Sequence, residues 1–157
     1  MKNKQEVDFF IRSIEENDAM DIFNLLNDLD EKTKIFFHPH SFDFKTISNI
    51  CRSKTDHYFV IFLKDKLIGY SFLRLFGYEI PSFGIVIRRG YTERGYGTIL
   101  SRWTISKAKE LGYKKVILKT YKENFHAQKI YKRIGFKIVG ESEDKKEYKM
   151  ELNLQNL

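Results

Sequence analysis

Cysteine is nearly absent from this chain: Cys51 stands alone, so no internal disulfide can form. Proline is almost as scarce, at two residues, and glycine numbers nine in 157. There is no Pro- or Ser-rich linker, no low-complexity tract and no internal repeat. No run approaches the roughly 18 apolar residues of a membrane span. No apolar stretch follows a basic start, so no signal peptide is expected. These absences predict one compact domain over residues 1–157, cytoplasmic and without a membrane partner. The length is enough for a proper core. Cys51, within Ile50-Cys51-Arg52-Ser53, reads as a structural or surface thiol rather than a nucleophile.

Charge is present but uneven. The formal excess is +7. Between Lys107 and Lys149, 13 basic residues face 6 acidic ones, which accounts for all of it. Met1 to Glu31 is acidic, with 9 acids against 3 bases. A basic half beside an acidic half suggests an anionic ligand on one side, although lysines on helix faces are often merely solvated.

Periodicity predicts the elements. Phe9-Phe10-Ile11 reads as a strand. Asn17 or Asp18 can cap a helix to about Leu29. A loop rich in His and Phe follows, then Asp43 capping a short helix to Cys51. Tyr58–Leu63 and Leu67–Leu75 read as a hairpin turning at Asp65-Lys66. Ser82–Arg88 is a strand, Gly97–Leu111 a helix stopped by Gly112, Lys115–Leu118 a strand, and Asn124–Ile134 a helix ended by Gly135. Phe136–Val139 and Glu147–Leu152 close as paired strands. The fold class is α/β (α+β), a mixed sheet with helices on both faces and a parallel strand–helix–strand crossover from Ile85 to Leu118.

Two patterns carry chemistry. Arg94-Gly95-Tyr96-Gly97-Thr98 lies between a strand and a helix, where free N–H groups and the helix dipole favour a phosphate. Glycine permits close backbone approach. The third glycine of a dinucleotide fingerprint is missing, since Leu100 holds that place, and there is no G-K-[ST]. Asn124-x-x-Ala127-x-x-x-Tyr131-x-x-x-Gly135-Phe136 then places an amide and a phenol on one helical face, roughly 10 Å apart, with room for a thin ligand over Ala127.

Strand, R-G-x-G, helix, strand, N-x-x-A-x-x-x-Y-x-x-x-G-F, from about Ser82 to Gly140, resembles the Gcn5-related N-acetyltransferase (GNAT) superfamily. The resemblance implies a mostly antiparallel sheet with a splayed parallel pair, Ser82–Arg88 and Lys115–Leu118, and acetyl-CoA as cosubstrate in the splay. It implies that backbone groups near Ile85, Val86 and Ile87 pair with the pantetheine arm. It also implies that N–H groups around Arg94, Gly95, Tyr96, Gly97 and Thr98 hold the pyrophosphate. Asn124 and Ala127 would contact the arm, and Tyr131 would protonate the leaving thiolate. The motif's usual Gln or Arg is Thr92 here, followed by Glu93, with Arg94, Arg88 or Arg89 as candidate substitutes.

The chemistry expected is direct acyl transfer. A neutral amine attacks the thioester after a base removes its proton, a backbone N–H steadies the oxyanion, and no covalent enzyme intermediate forms. Candidate bases are Glu79, His38 and His40; histidine suits neutral pH. His38-x-His40 has no convincing third ligand, so no metal is expected. Tyr78–Ile85 with Phe37–His40 is similar to a GNAT subgroup of sugar-modifying pathways, which implies a small amine acceptor such as an amino sugar or a nucleotide-linked one. Peptide acceptors and a silent acyl-CoA-binding module remain alternatives. A homodimer is compatible with the chain. Tyr113, Tyr121, Phe125 and Tyr131 lie among lysines like a stacking platform, but helical spacing turns Tyr131 inward, so nucleic acid is not the expected partner.

Overall fold

The computed structural model describes residues 8–157. Its strands are β1 (Phe9–Ser13), β2 (His57–Leu63), β3 (Lys66–Arg74), β4 (Ser82–Ile87), β5 (Lys115–Tyr121), β6 (Lys137–Glu141) and β7 (Glu147–Asn153). They form one sheet in the order β1-β2-β3-β4-β5-β7-β6. The helices are α1 (Ala19–Asn27), α2 (Glu31–Phe36), α3 (Phe44–Cys51), α4 (Tyr96–Glu110) and α5 (Phe125–Ile134). All neighbouring strands are antiparallel except β4 and β5. The mixed sheet with one parallel pair agrees with the sequence expectation.

The apolar run of β2 is buried on both faces, which is why it reads as continuous rather than alternating. Val60 joins Ile22, Leu25, Leu26 and Ile47 of α1 and α3 in one core. Phe59, one residue earlier, joins Ile105 of α4 and Tyr131 of α5 in the other. A third cluster gathers Ile61, Ile68, Tyr96 and Leu100 under the start of α4.

Several boundaries differ from expectation. The β2–β3 turn is Lys64-Asp65, with Lys64 at φ 53°, and Lys66 already belongs to β3. An unpredicted helix, α2, follows α1. Asp30 caps it by accepting from the Thr33 N–H at 2.7 Å. Its six residues bury no side chain fully, so periodicity gave no signal. Asp18 lies at the start of α1 but does not cap it; its side chain accepts from the Glu15 N–H at 2.7 Å, capping the short 3-10 turn before α1. Its buried carboxylate also accepts two bonds from Arg12, at 2.7 and 2.8 Å, tying β1 to α1. Asp43 does cap α3, accepting from the Thr46 N–H at 2.9 Å. β5 continues past Leu118 to Tyr121 because β7 pairs with it throughout.

Gly84 on β4 shows how closely the sheet is covered. A Cβ there would lie 2.0 Å from the ring of Phe72 on β3, itself buried. The ring occupies the space a side chain would take. Gly84→Ala is therefore expected to destabilise the fold by about 1–3 kcal/mol, the usual range for overpacking. Urea unfolding of the variant measures this, and an unchanged midpoint would show that Phe72 moves aside freely.

Candidate functional site

β4 and β5 touch once. Ser82 pairs with Ile117, and the Ile117 N–H donates to Pro81 O at 3.1 Å. Beyond that bridge the strands part. The Arg88 N–H donates to Ile68 O on the β3 side, at 2.7 Å. Backbone groups alternate along a strand, so those of Ile85 and Ile87 face the gap without a strand partner. The cleft that opens there has a volume of about 1830 Å³. Ile85, Val86 and Ile87 line it, with Thr92, Glu93, Gly95, Gly97, Thr98, Asn124, Ala127 and Tyr131. The fold thus brings together residues from two motifs about thirty positions apart.

The glycine turn shapes one end. Gly95 is the N-cap of α4 at φ 88°, a left-handed conformation that glycine adopts without strain. The first intrahelical bond runs from the Ile99 N–H to Gly95 O. The N–H groups of Tyr96, Gly97 and Thr98 therefore have no helical acceptor, the normal state of a helix N-terminus. A Cβ on Gly97 would meet Ile130 at 3.6 Å and Ile87 at 3.8 Å, so this glycine sits between the walls of the cleft. Arg94 does not turn inward: its guanidinium lies over the Tyr91 ring at 5.5 Å. Tyr96 is buried in the core beneath. Arg88 is tied to the scaffold through Nε, which donates to Leu67 O at 2.8 Å. None of Arg88, Arg89 and Arg94 lines the cleft. The cations that line the cleft from α5 are Lys129 and Arg133. They lie four residues apart on one helical face, a spacing visible in the sequence but not used.

Asn124 caps α5, its side chain accepting from the Ala127 N–H at 3.4 Å. Tyr131 is buried, at 9% exposure, with its ring against Phe83 and Phe136 at centroid distances of 6.0 and 5.9 Å. Burial alone pushes its phenol up to about 12, so it carries its proton throughout the neutral range. Ser101 of α4 also lines the cleft, and its buried hydroxyl has no partner in the protein.

At the other end the loop after α2 crosses the gap. His38 Nε2 hydrogen-bonds the Tyr121 hydroxyl at 2.7 Å, and Phe36 packs on the Tyr121 ring at 5.7 Å. His38 and Glu79 both line the cleft. His40 does not share it: it is half-buried, its Nδ1 meets Ser41 O at 2.8 Å and its Nε2 meets the hydroxyl of the core residue Tyr70 at 3.2 Å. The two histidines thus turn to different partners. Among the described residues no group of three or more His, Cys, Asp or Glu is placed to hold a metal ion. Cys51 is buried, which pushes its thiol up to about 11, and it packs in the α1–α3 core. Among the described residues no helix is long and apolar enough to cross a membrane.

A single sheet parted at its one parallel step, with a glycine turn and a capped helix over the opening, defines a class of acyl-transfer folds. The profile described as the Acetyltransferase (GNAT) family matches residues 21–136. The chain belongs to that family and is an acetyltransferase. Solved structures agree in fold. An acetyltransferase of the GNAT family from Streptococcus pneumoniae superposes with a TM-score of 0.77 at 22% identity, over 93% of this chain and 99% of its own. The ribosomal-protein-S5-alanine acetyltransferase from Vibrio fischeri gives 0.81 at 16% identity, over 94% of each chain. Spermidine N-acetyltransferase from Vibrio cholerae, in complex with CoA and spermine, gives 0.78 at 19%, over 94% of this chain and 96% of its own.

His40 yields a prediction that does not depend on activity. Burial, the largest influence, lowers its pKa below the ordinary value. The unfolded chain then binds a proton more readily than the folded one, so stability is full above about pH 6.5 and falls as pH drops through the window below it. His57 is lowered in the same direction. His40→Asn should flatten part of the acid-side slope of urea midpoint against pH and leave the remainder to His57. A slope identical to wild type would show that His40 titrates alike in both states.

Proposed function

We propose that the protein transfers an acetyl group from acetyl-CoA to a primary amine of a small molecule, an amino sugar or nucleotide-linked amino sugar. The observation that carries this reading is the unpartnered edge of β4 at Ile85 and Ile87, lying in the same cleft as Tyr131. Ligand sites commonly measure about 300–1,000 Å³, so a cleft of about 1830 Å³ has room for a thioester and an acceptor together. The cosubstrate supplies the activated acetyl group, and the chain supplies position and protons.

Free backbone groups of Ile85 and Ile87 can align an extended arm as an additional strand, as β-augmentation does elsewhere. The N–H groups of Tyr96, Gly97 and Thr98 can hold a pyrophosphate at the start of α4. With Arg94 turned away, that contact rests on backbone, and Lys129 and Arg133 are the side chains that can add charge. Tyr131 can donate to the departing sulfur. A phenol at about 12 is a weaker acid than an ordinary thiol near ~8.5. Hydrogen-bond donation during departure is therefore its main contribution, and full proton transfer grows easier as the same apolar walls raise the sulfur's own pKa. His38 and Glu79 stand at the acceptor end, where the ammonium proton must leave. His40, held by Ser41 O and the Tyr70 hydroxyl, does not line the cleft.

A small acceptor is favoured over a peptide by the loop after α2. Phe36, His38 and Tyr121 close over the gap, narrowing the space an extended peptide would need.

Calorimetric titration with acetyl-CoA, followed by thiol release over a panel of amines, tests the reading; binding without turnover on any amine would favour a silent module. Tyr131→Phe should lower turnover about 10- to 100-fold and leave acetyl-CoA affinity nearly intact. Unchanged turnover would remove Tyr131 from the reaction. Gly97→Ala should fold as wild type, because its Cβ meets only ordinary contacts. Gly97→Val should bind acetyl-CoA more weakly by crowding the turn, and wild-type affinity in a folded valine variant would contradict the assigned phosphate site.

A further inference from the structure

The acceptor side of the sheet can be read row by row from its register. In one row Arg74 on β3 lies opposite Ser82 on β4, which pairs with Ile117 on β5, which lies opposite Glu151 on β7. Two residues further along β5, Lys119 lies directly opposite Lys149 of β7. Side chains two apart share a face. The packing of Phe36 on Tyr121 and of Phe37 on Phe72 shows that this face is the one α2 approaches. Arg74, Lys119 and Lys149 all line the cleft on that face.

This arrangement is unfavourable on its own terms. Like charges directly opposite on antiparallel strands repel. Among the described residues neither lysine forms an ion pair, although carboxylates stand nearby. Glu151, a diagonal neighbour, is taken by Lys115 at 3.0 Å. Glu147, the other diagonal neighbour, lies opposite Tyr121. Asp144 feels the charge of Lys119 only as a minor influence beside its own hydrogen bonds to Lys146 N and Ser142. Across the gap Arg74 also lacks a carboxylate. Its Nη1 donates to Pro39 O at 2.8 Å, its plane sits over Phe76 at 4.4 Å, and its Nε is buried without a partner. Three cations thus flank the opening where the acceptor enters, with one uncommitted glutamate on the same strands. A neutral acceptor gives them no role.

We infer that the acceptor carries a phosphate, seated on Lys119 and Lys149 with Arg74 on the opposite wall, while its amine points to the gap. This rests on the acetyl-transfer reading and narrows it to phosphorylated amines. The phosphate can be a monoester on the sugar or the diphosphate of a nucleotide-linked sugar, and both offer the same oxygens to the lysines. The site is separate from the α4 turn, so a CoA-loaded protein still presents it.

The test uses protein saturated with CoA, which occupies the turn. Glucosamine 6-phosphate and UDP are titrated calorimetrically into wild type and into K119Q/K149Q. At least one should bind wild type, weaken with rising salt, and bind the double variant about tenfold or more weakly. Whichever binds identifies the monoester or the nucleotide diphosphate as the source. CoA affinity equal to wild type, with a melting temperature no lower, would show the variant intact, since relieving a like-charge pair does not destabilise. Absence of binding by both probes, or equal binding to both proteins, overturns the phosphate site. Thiol release separates this from the parent reading. Turnover on glucosamine or spermidine without phosphate binding leaves acetyl transfer standing and removes the phosphate site. Phosphate binding with no turnover on any amine removes acetyl transfer and keeps the site.

Discussion

The separation of β4 from β5 after a single bridge is the constraint around which this protein is organised. A sheet interior normally satisfies every backbone group, and here two residues of β4 are left facing a gap. Both are only half-buried and line an open cleft, where water can satisfy the groups a strand partner leaves free, and packing on both faces holds the strand in place. On one face the Phe72 ring fills the place of a side chain at Gly84. On the other, Phe83, Tyr131 and Phe136 form a ring cluster with centroids 5.9 to 6.2 Å apart. Two rigid aromatic groups thus brace the edge of β4 that β5 leaves open.

The electrostatics of the cleft follow from the same geometry. Arginines that the sequence offers near the glycine turn are spent on the scaffold: Arg88 on Leu67 O and Arg94 on the Tyr91 ring. Positive charge reaches the cleft instead from α5 and from the far strands. Tyr131 owes its high pKa to burial and to nothing else, which makes it a proton holder across the working range. The same ring braces the opening, so removing the whole side chain alters the cleft, whereas removing the hydroxyl alone leaves the ring contacts with Phe83 and Phe136 in place.

The elements with strong periodicity or clear punctuation were legible. α4 and α5 end at glycines, β2 is apolar on both faces, and Asp43 caps α3 as its side chain suggests. α2 was not legible, because six residues without a fully buried side chain carry too little pattern. The end of β5 was hidden for a different reason: Lys119 is exposed and Tyr121 only half-buried, so the apolar pattern fades there, and only pairing with β7 identifies them as strand. The same blindness affected the site. Gly95, Gly97, Asn124 and Tyr131 declare themselves by spacing. Arg74, Lys119, Lys149 and Ser101 lie in ordinary contexts, and nothing local distinguishes them from solvated or packed residues.

The sequence by itself determined the family pattern, the glycine at φ 88° that opens α4, the face shared by Asn124 and Tyr131, and the alternation that buries β2. These are local matters, governed by steric freedom and by periods of 3.6 and 2. Tertiary structure alone decided that His38 meets Tyr121 while His40 meets Tyr70, and that Lys119 lies opposite Lys149. Each depends on which strand or loop arrives opposite, a relation between residues 30 to 83 positions apart, and no local preference encodes it.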